Sequence, residues 1–341
     1  MRNEHLIDNF QSSRTTIRKR SRTIAARPRP GRAGSPSRTV SGQPGDDGGA
    51  GKSSREVLVL VESEGAVFDT LALRHEKAYL PTFVEYFAWG IDPLLCGHLW
   101  RSLALSSRLR GQDPSLILLY ALRLLNRHAP SIRRAAVIRA LDSFLSGQSR
   151  DPMQLASAHE GSPERLILSW ITASEKLVAS TGYAASFPSA ATFLRMVKEI
   201  APNAAILVYS SFPESLALNQ WEVSGMGDCF LRIAGAERGD FPEYVRMALR
   251  NGYDQKPLLV IGTTYPAWLA AQTAGARLYP IVPFKEEESW KFLAETYFPA
   301  FLKGQAAFVD RDERDFVRMM FDDLDAGFRK SDPWLETSAQ G

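Results

Sequence analysis

The feature that most constrains the fold is the segment Val57-Leu58-Val59-Leu60-Val61-Glu62-Ser63-Glu64-Gly65. Its five consecutive β-favouring apolar residues show no polar alternation, the pattern of a strand buried on both faces in the middle of a parallel sheet. The run then ends in a carboxylate, skips one residue, repeats the carboxylate and turns at Gly65. It therefore delivers two acids to the C-terminal tip of a buried strand, the edge at which open α/β sheets bind ligands.

The rest of the chain supplies the partners such a strand needs. Residues 70–89 carry apolar side chains at helical spacing until Gly90-Ile91-Asp92-Pro93 breaks the pattern. From Leu94 to about Val178 there follow only helix-like stretches, among them 115–127 and 131–145, with Asp113-Pro114-Ser115 and Ala129-Pro130-Ser131 as start signals that place Pro near the first turn. Strands return at 204–209, ending in Ser210-Ser211, at 257–261, ending in Gly262-Thr263, and at 278–282; helices are predicted over 287–302 and 312–328. Strand and helix in alternation predict a mostly parallel sheet covered on both faces, interrupted after its first strand by an all-helical insertion.

Composition bounds the function classes. With 341 residues, 45% of them hydrophobic, the chain can bury a sizeable core as one large domain or two smaller ones. Up to Arg55 there are twelve Lys and Arg against four acids, a net of +8, so the chain's +3 leaves −5 for the remainder. Basicity thus belongs to a Pro-, Gly-, Ser- and Arg-rich tail, residues 1–55, predicted to be disordered. The folded part is not expected to bind nucleic acid specifically. No run of about eighteen apolar residues could span a bilayer and none resembles a signal-peptide core, so a cytoplasmic protein without membrane partners is expected. Cys96 and Cys229 are far apart and read as buried thiols, and the five histidines lack ligand spacing.

The segment 57–70 resembles motif I of the haloacid dehalogenase-like (HAD) hydrolase superfamily, Asp-x-Asp-Gly-Thr-Leu-x-Asp-Ser, with Glu62 and Glu64 at its two leading acids and Ala66 for the Thr. The resemblance runs from about 56 to 305. Ser210 stands at the Ser/Thr of motif II. The frame Leu259-Val260-Ile261-Gly262-Thr263-Thr264-Tyr265-Pro266-Ala267 matches motif IV, Gly-Asp-x-x-x-Asp, with Thr263 and Ala267 in place of its acids. The stretch Gly235-Ala236-Glu237-Arg238-Gly239-Asp240-Phe241 matches one subgroup's motif III, with Phe241 where the lysine belongs; Lys256, in the loop before the motif IV strand, reads as a solvated loop residue. Arg74-His75-Glu76 and Arg108 to Gly111 resemble that subgroup's Lys-His-Glu and Arg-Gly segments, which makes Arg74, His75 and Arg110 candidate anion ligands.

The resemblance implies a three-layer α/β fold with a mostly parallel sheet: a HAD-like core at 56–71 and 186–330, a helical cap at 72–185 and a flexible end at 331–341. It also implies phosphoryl transfer in which the first acid is the nucleophile, the second a general acid/base, and Mg²⁺ is held with the help of motif IV. The departures cut against that chemistry. A Glu nucleophile sets its oxygens about 1.5 Å further out than Asp, a large error for in-line attack. Thr263 carries no charge for Mg²⁺, and Phe241 offsets no phosphate charge. The expectation is therefore a pseudoenzyme that keeps a cleft for a small anionic or phosphorylated ligand or a protein partner, with no cofactor or Mg²⁺ bound weakly through Glu62 and Glu64. Two alternatives stand beside it: a divergent Mg²⁺-dependent phosphatase using Glu62, Glu64 and Ser210, and a non-catalytic interaction subunit. Glu62 and Glu64 themselves read equally well as retained ligand-binding groups or as relics hydrogen-bonded at the strand tips.

Overall fold

The computed structural model describes residues 57–147, 152–250 and 257–305, together with 316 and 318. Five parallel strands form one sheet: β1 (Leu58–Glu62), β2 (Ala205–Tyr209), β3 (Arg232–Ala234), β4 (Leu258–Gly262) and β5 (Arg277–Pro280), in the spatial order β3-β2-β1-β4-β5. The first strand is thus the central one. Glu62 pairs with Tyr209, and Val61 pairs with both Val208 and Ile261, so the tips of β1, β2 and β4 end side by side.

Alternation along β1 divides the core. Val57, Val59 and Val61 enter one apolar cluster with Phe193, Trp221, Trp290 and Phe298, from α7 (Pro188–Ile200), α8 (Glu214–Val223), α11 (Glu286–Phe292) and α12 (Phe298–Leu302). Leu58 and Leu60 enter the opposite cluster with Phe241 and Val245 of α9 (Phe241–Ala248) and Ala267, Ala270 and Ala271 of α10 (Tyr265–Thr273). This is a three-layer α/β architecture with a parallel sheet, and the apolar run is explained by it: each residue has a helix layer to face.

Among the described residues, the elements between β1 and β2 are all helical. The chain leaves β1 through α1 (Thr70–Arg74), a π-helical turn at His75–Tyr79 and α2 (Leu80–Phe87), then adds α3 (Pro93–Leu105), α4 (Pro114–His128), α5 (Ile132–Ser146) and α6 (Pro163–Ser180). These helices bury a third cluster of their own, from Leu80 to Ile171, around Phe83, Trp100 and Trp170. Asp92, Asp113, Ser131 and Ser162 each accept a backbone N–H of the first turn, which is why α3 to α6 start where they do.

Ser131 is the cap of α5, with Pro130 just before it, near the first turn as expected. Two expectations need correction. The predicted helix 70–89 contains the π turn and stops at Phe87, where Trp89 takes a positive φ of 40°. The edge strand β3 has no counterpart among the predicted strands; three residues led by an exposed Arg232 carry too little pattern. Residues 1–55, Lys256, 331–341 and nearly all of the predicted helix 312–328 lie outside the described residues.

Gly262 ends β4 where backbone and side chains converge. A Cβ there would stand 2.3 Å from the Ala267 Cβ and 2.9 Å from Glu62 Oε2. Gly262→Ala is expected to destabilise the protein by about 1–3 kcal/mol, through overpacking of a rigid junction. Urea denaturation at unchanged slope checks it, and an unshifted midpoint would contradict the close approach.

Candidate functional site at the strand tips

Both glutamates of the first strand are buried, and both reach sideways. Glu62 (5% exposed) accepts the Thr263 N–H through Oε2 at 2.7 Å and the Thr264 hydroxyl through Oε1, binding the tip of β1 to that of β4. Glu64 (4% exposed) turns to the other neighbour. Its Oε1 accepts the Ser210 hydroxyl at 2.7 Å, and its Oε2 accepts the Ser211 N–H at 2.6 Å and hydroxyl at 3.0 Å, binding β1 to the end of β2. Burial pushes the Glu62 carboxyl up to about 7, against the pull of the Thr263 and Thr264 bonds; Glu64 is raised as well, again by burial.

The cationic candidates come from the helical insertion. Arg110 (2% exposed) donates to Leu105 O at 2.9 Å and to Gly65 O at 3.4 Å, and pairs with Glu286 at the start of α11 at 3.5 Å. Desolvation lowers its pKa, while Glu286, Glu62 and Asp69 favour its charge. Next to it, Gly111 (φ +74°) lies so close to the Thr264 methyl group that a Cβ would approach within 2.7 Å. The insertion is thus seated directly on the β1 and β4 tips. Arg74 is half-buried with its guanidinium 3.8 Å from the centre of the Phe212 ring. His75 is buried, and its Nδ1 accepts the Trp100 indole N–H at 3.3 Å. Burial, with Arg110 and Arg74 nearby, pushes its pKa down to about 3, so it is a neutral imidazole with its proton on Nε2.

The remaining motif positions are packed. Phe241 is fully buried and stacks on Tyr209 at 4.6 Å with 4° between the ring planes, filling an apolar junction. Ala267 is buried against Gly262. Ser210 is spent on Glu64 and on the Phe212 N–H at 3.0 Å. Thr263 is fully buried, and its hydroxyl has no partner among the described residues.

A magnesium ion of the kind the sequence resemblance implies would need convergent oxygens free to ligate. Here the oxygens of Glu62 and Glu64 diverge to opposite neighbours and already accept protein donors, a hydroxyl replaces the motif IV acid, and the Arg110 cation lies nearby. Among the described residues no group of three or more His, Cys, Asp or Glu could hold a metal. The residues present do not fit the ion.

Sequence reasoning places Glu62, Glu64, Ser210 and Thr263 together, and they are together. It passes over Thr264, Ser211 and Glu286; the first two adjoin motif positions, and that adjacency is the one available signal. His75 and Arg74 lie on the insertion side, engaged with Trp100 and Phe212.

No protein-family model and no curated protein matches the chain. Solved structures similar to it include a haloacid dehalogenase-like family hydrolase from Streptococcus pneumoniae (12% identity, 70% of this chain and 92% of that one, TM-score 0.36). Others are a HAD-superfamily hydrolase of subfamily IA from Geobacter sulfurreducens (14%, 66% and 87%, 0.35) and a HAD-hydrolase from Bacillus subtilis bound to magnesium (13%, 68% and 93%, 0.35). At such likeness the architecture rests on the strand order and the motif positions themselves.

The pH dependence of stability is set by these groups. A folded pKa near 7 for Glu62, against an ordinary 4.5, means the folded state keeps a proton the unfolded chain has lost between those values. Its contribution is therefore complete below pH 4.5 and is lost as pH rises through 7; Glu64 has the same sign. His75, lowered from 6.5 to about 3, acts oppositely, losing stability as pH falls through that window. Because His75 cancels in a difference, Glu62→Gln should gain on the parent by about 3 kcal/mol between pH 4.5 and 7. Denaturant unfolding across that range measures it, and a constant difference would refute a protonated Glu62.

Proposed function

We propose that this chain is a HAD-like protein without phosphoryl-transfer activity, whose former catalytic acids fasten the strand tips to one another beneath the helical insertion. One observation carries the reading: every carboxylate oxygen of Glu62 and Glu64 accepts a donor from a neighbouring strand tip. A nucleophile must present a free oxygen to the reacting phosphorus, and a general acid must be free to exchange its proton. Here each of those oxygens is instead held toward a neighbouring strand tip by a buried hydrogen bond.

On this reading residues 72–185 serve as the cap, and the cleft is closed by Arg110 bonded to Gly65 and Glu286. A phosphorylated ligand or protein partner that entered would have to exchange its own anionic groups for Glu286 or Glu64 at the Arg and Ser donors. The protein therefore acts by binding and not by turnover. A cytoplasmic setting belongs to the same proposal, since Cys96 and Cys229 are buried free thiols whose pKa burial raises.

Hydrolysis of an aryl phosphate with Mg²⁺ is expected at background, unchanged by Glu62→Gln. Turnover that this substitution abolishes would overturn the proposal. A second test restores the ligand set where space allows: Glu62→Asp and Glu64→Asp withdraw the acids from their neighbours, and Thr263→Asp replaces the one motif hydroxyl without a partner. Phe241 and Ala267 are left alone because both are buried in apolar contact. Calorimetric titration of Mg²⁺ should show binding to the folded triple variant and none to the parent up to about 1 mM, where a site would contribute roughly 4 kcal/mol. Equal binding by the parent would mean that its glutamates are free to ligate.

A further inference from the structure

Away from the strand tips, β3 is an outer strand with β2 as its one neighbour among the described residues, and α8 packs against it. The Trp221 ring of α8 meets Phe230, just before β3, at 5.3 Å, which brings the last turn of α8 beside the start of that strand. At the opposite end Glu214, the first residue of α8, pairs with Arg238 at 3.1 Å and donates its N–H to Glu237 at 2.8 Å, both in the turn after β3. Helix and edge strand therefore run antiparallel along one flank of the sheet.

On the outer face of α8, exposure and side-chain chemistry disagree. Ala217 and Trp221 enter the core, whereas Leu216 is 49% exposed and Val223 72% exposed. With the exposed Asn219 between them the spacing is i, i+3, i+7, one continuous face of the helix. Leu231, just before β3, is 52% exposed at the Val223 end, and the exposed Tyr183 ring widens the face at its middle, where its hydroxyl accepts the Asn219 amide. Single exposed aliphatics need no explanation, but a connected row of them marks a contact surface. Exposed charges of both signs stand at its ends: Glu222, Asp228 and Arg232 by Val223, and Glu237 and Arg238 by Leu216. A bilayer or a nucleic acid calls for one sign of charge, which this face does not present.

We propose that this face joins two copies of the chain about a two-fold axis near Asn219, with their α8 helices antiparallel. A two-fold interface uses the same patch on both partners, so the patch must complement itself. Reversing one helix against the other sets Leu216 of one copy opposite Val223 of the second, and Glu222 of one copy opposite Arg238 of the second. Apolar groups then meet along the middle and opposite charges meet at both ends. With ten residues α8 is about 15 Å long, a contact at the low end of specific interfaces, so the dimer is weak and reversible. It does not depend on the state of Glu62 and Glu64.

Sedimentation equilibrium of the full chain between about 1 and 200 µM should show a monomer–dimer equilibrium with a Kd of roughly 10 µM. Leu216→Lys and Val223→Lys, both at exposed positions, should each weaken it by about tenfold or more while the melting temperature of the dilute monomer stays unchanged. Glu222→Arg alone and Arg238→Glu alone should each weaken association several-fold by setting like charges opposite. An equimolar mixture of those two variants should restore it, because both cross pairs in the mixed dimer are then opposite in charge. A chain that stays monomeric throughout the range would overturn the proposal and leave the face to a different protein. A dimer indifferent to both lysine substitutions, or charge variants that do not recover on mixing, would overturn it as well, the first by placing the contact elsewhere and the second by denying the antiparallel pairing.

Discussion

Two buried carboxylates side by side at the end of one strand are what the rest of the tip region has to accommodate. Their burial is costly unless each finds donors, and their mutual repulsion raises the cost. The structure meets both demands laterally: two donors from the β4 side serve Glu62, and three from the β2 side serve Glu64. Hydrogen bonds to a charged group contribute about 1.5–3 kcal/mol each. Yet burial outweighs them at Glu62, whose pKa remains raised, so a proton supplies part of the neutralisation. The length of the glutamate side chain is what carries these oxygens across to the adjoining strands.

Arg110 answers the same electrostatic problem from the other side. The buried side chains of Phe241 and Thr263 at the sheet carry no charge to offset these acids. A guanidinium from the insertion provides positive charge among Glu62, Asp69 and Glu286, and at the same time bonds to the backbone of Gly65. Removing one partner of such a buried pair leaves an uncompensated charge, which is usually more damaging than the pair was helpful. Charge balance and the seating of the insertion on the strand tips are therefore a single interaction here. Gly111 makes it possible, since any side chain at that position would collide with Thr264.

Much of this was legible in the sequence because the sheet leaves strong local signals. The unbroken apolar run at 57–61 can be satisfied only by a strand with two helix layers, and the residues following each strand mark the tips; hence Glu62, Glu64, Ser210 and Thr263 could be brought together without coordinates. What stayed hidden depends on side-chain direction and on distant contacts. Nothing local says that Glu62 leans toward β4 and Glu64 toward β2, or that Arg110 meets Glu286 across 176 positions. The three-residue strand β3 is specified by its neighbour β2, and the π turn at His75–Tyr79 has no periodicity of its own to announce it.

The helix that leaves β1 links the strand tips to the insertion. Arg74 lies over Phe212 beside the β2 tip, His75 holds the Trp100 indole, and Tyr79, at the end of the same π turn, packs against Trp170 with ring centres 6.2 Å apart. Trp100 and Trp170 are themselves in edge contact at 6.2 Å. A π turn places one extra residue in the helix and so rotates the downstream half relative to the upstream half, which lets one short segment serve a sheet tip and a helical core at once. The side chains of Arg74 and the π turn are thus divided between the strand tips and the insertion's own core.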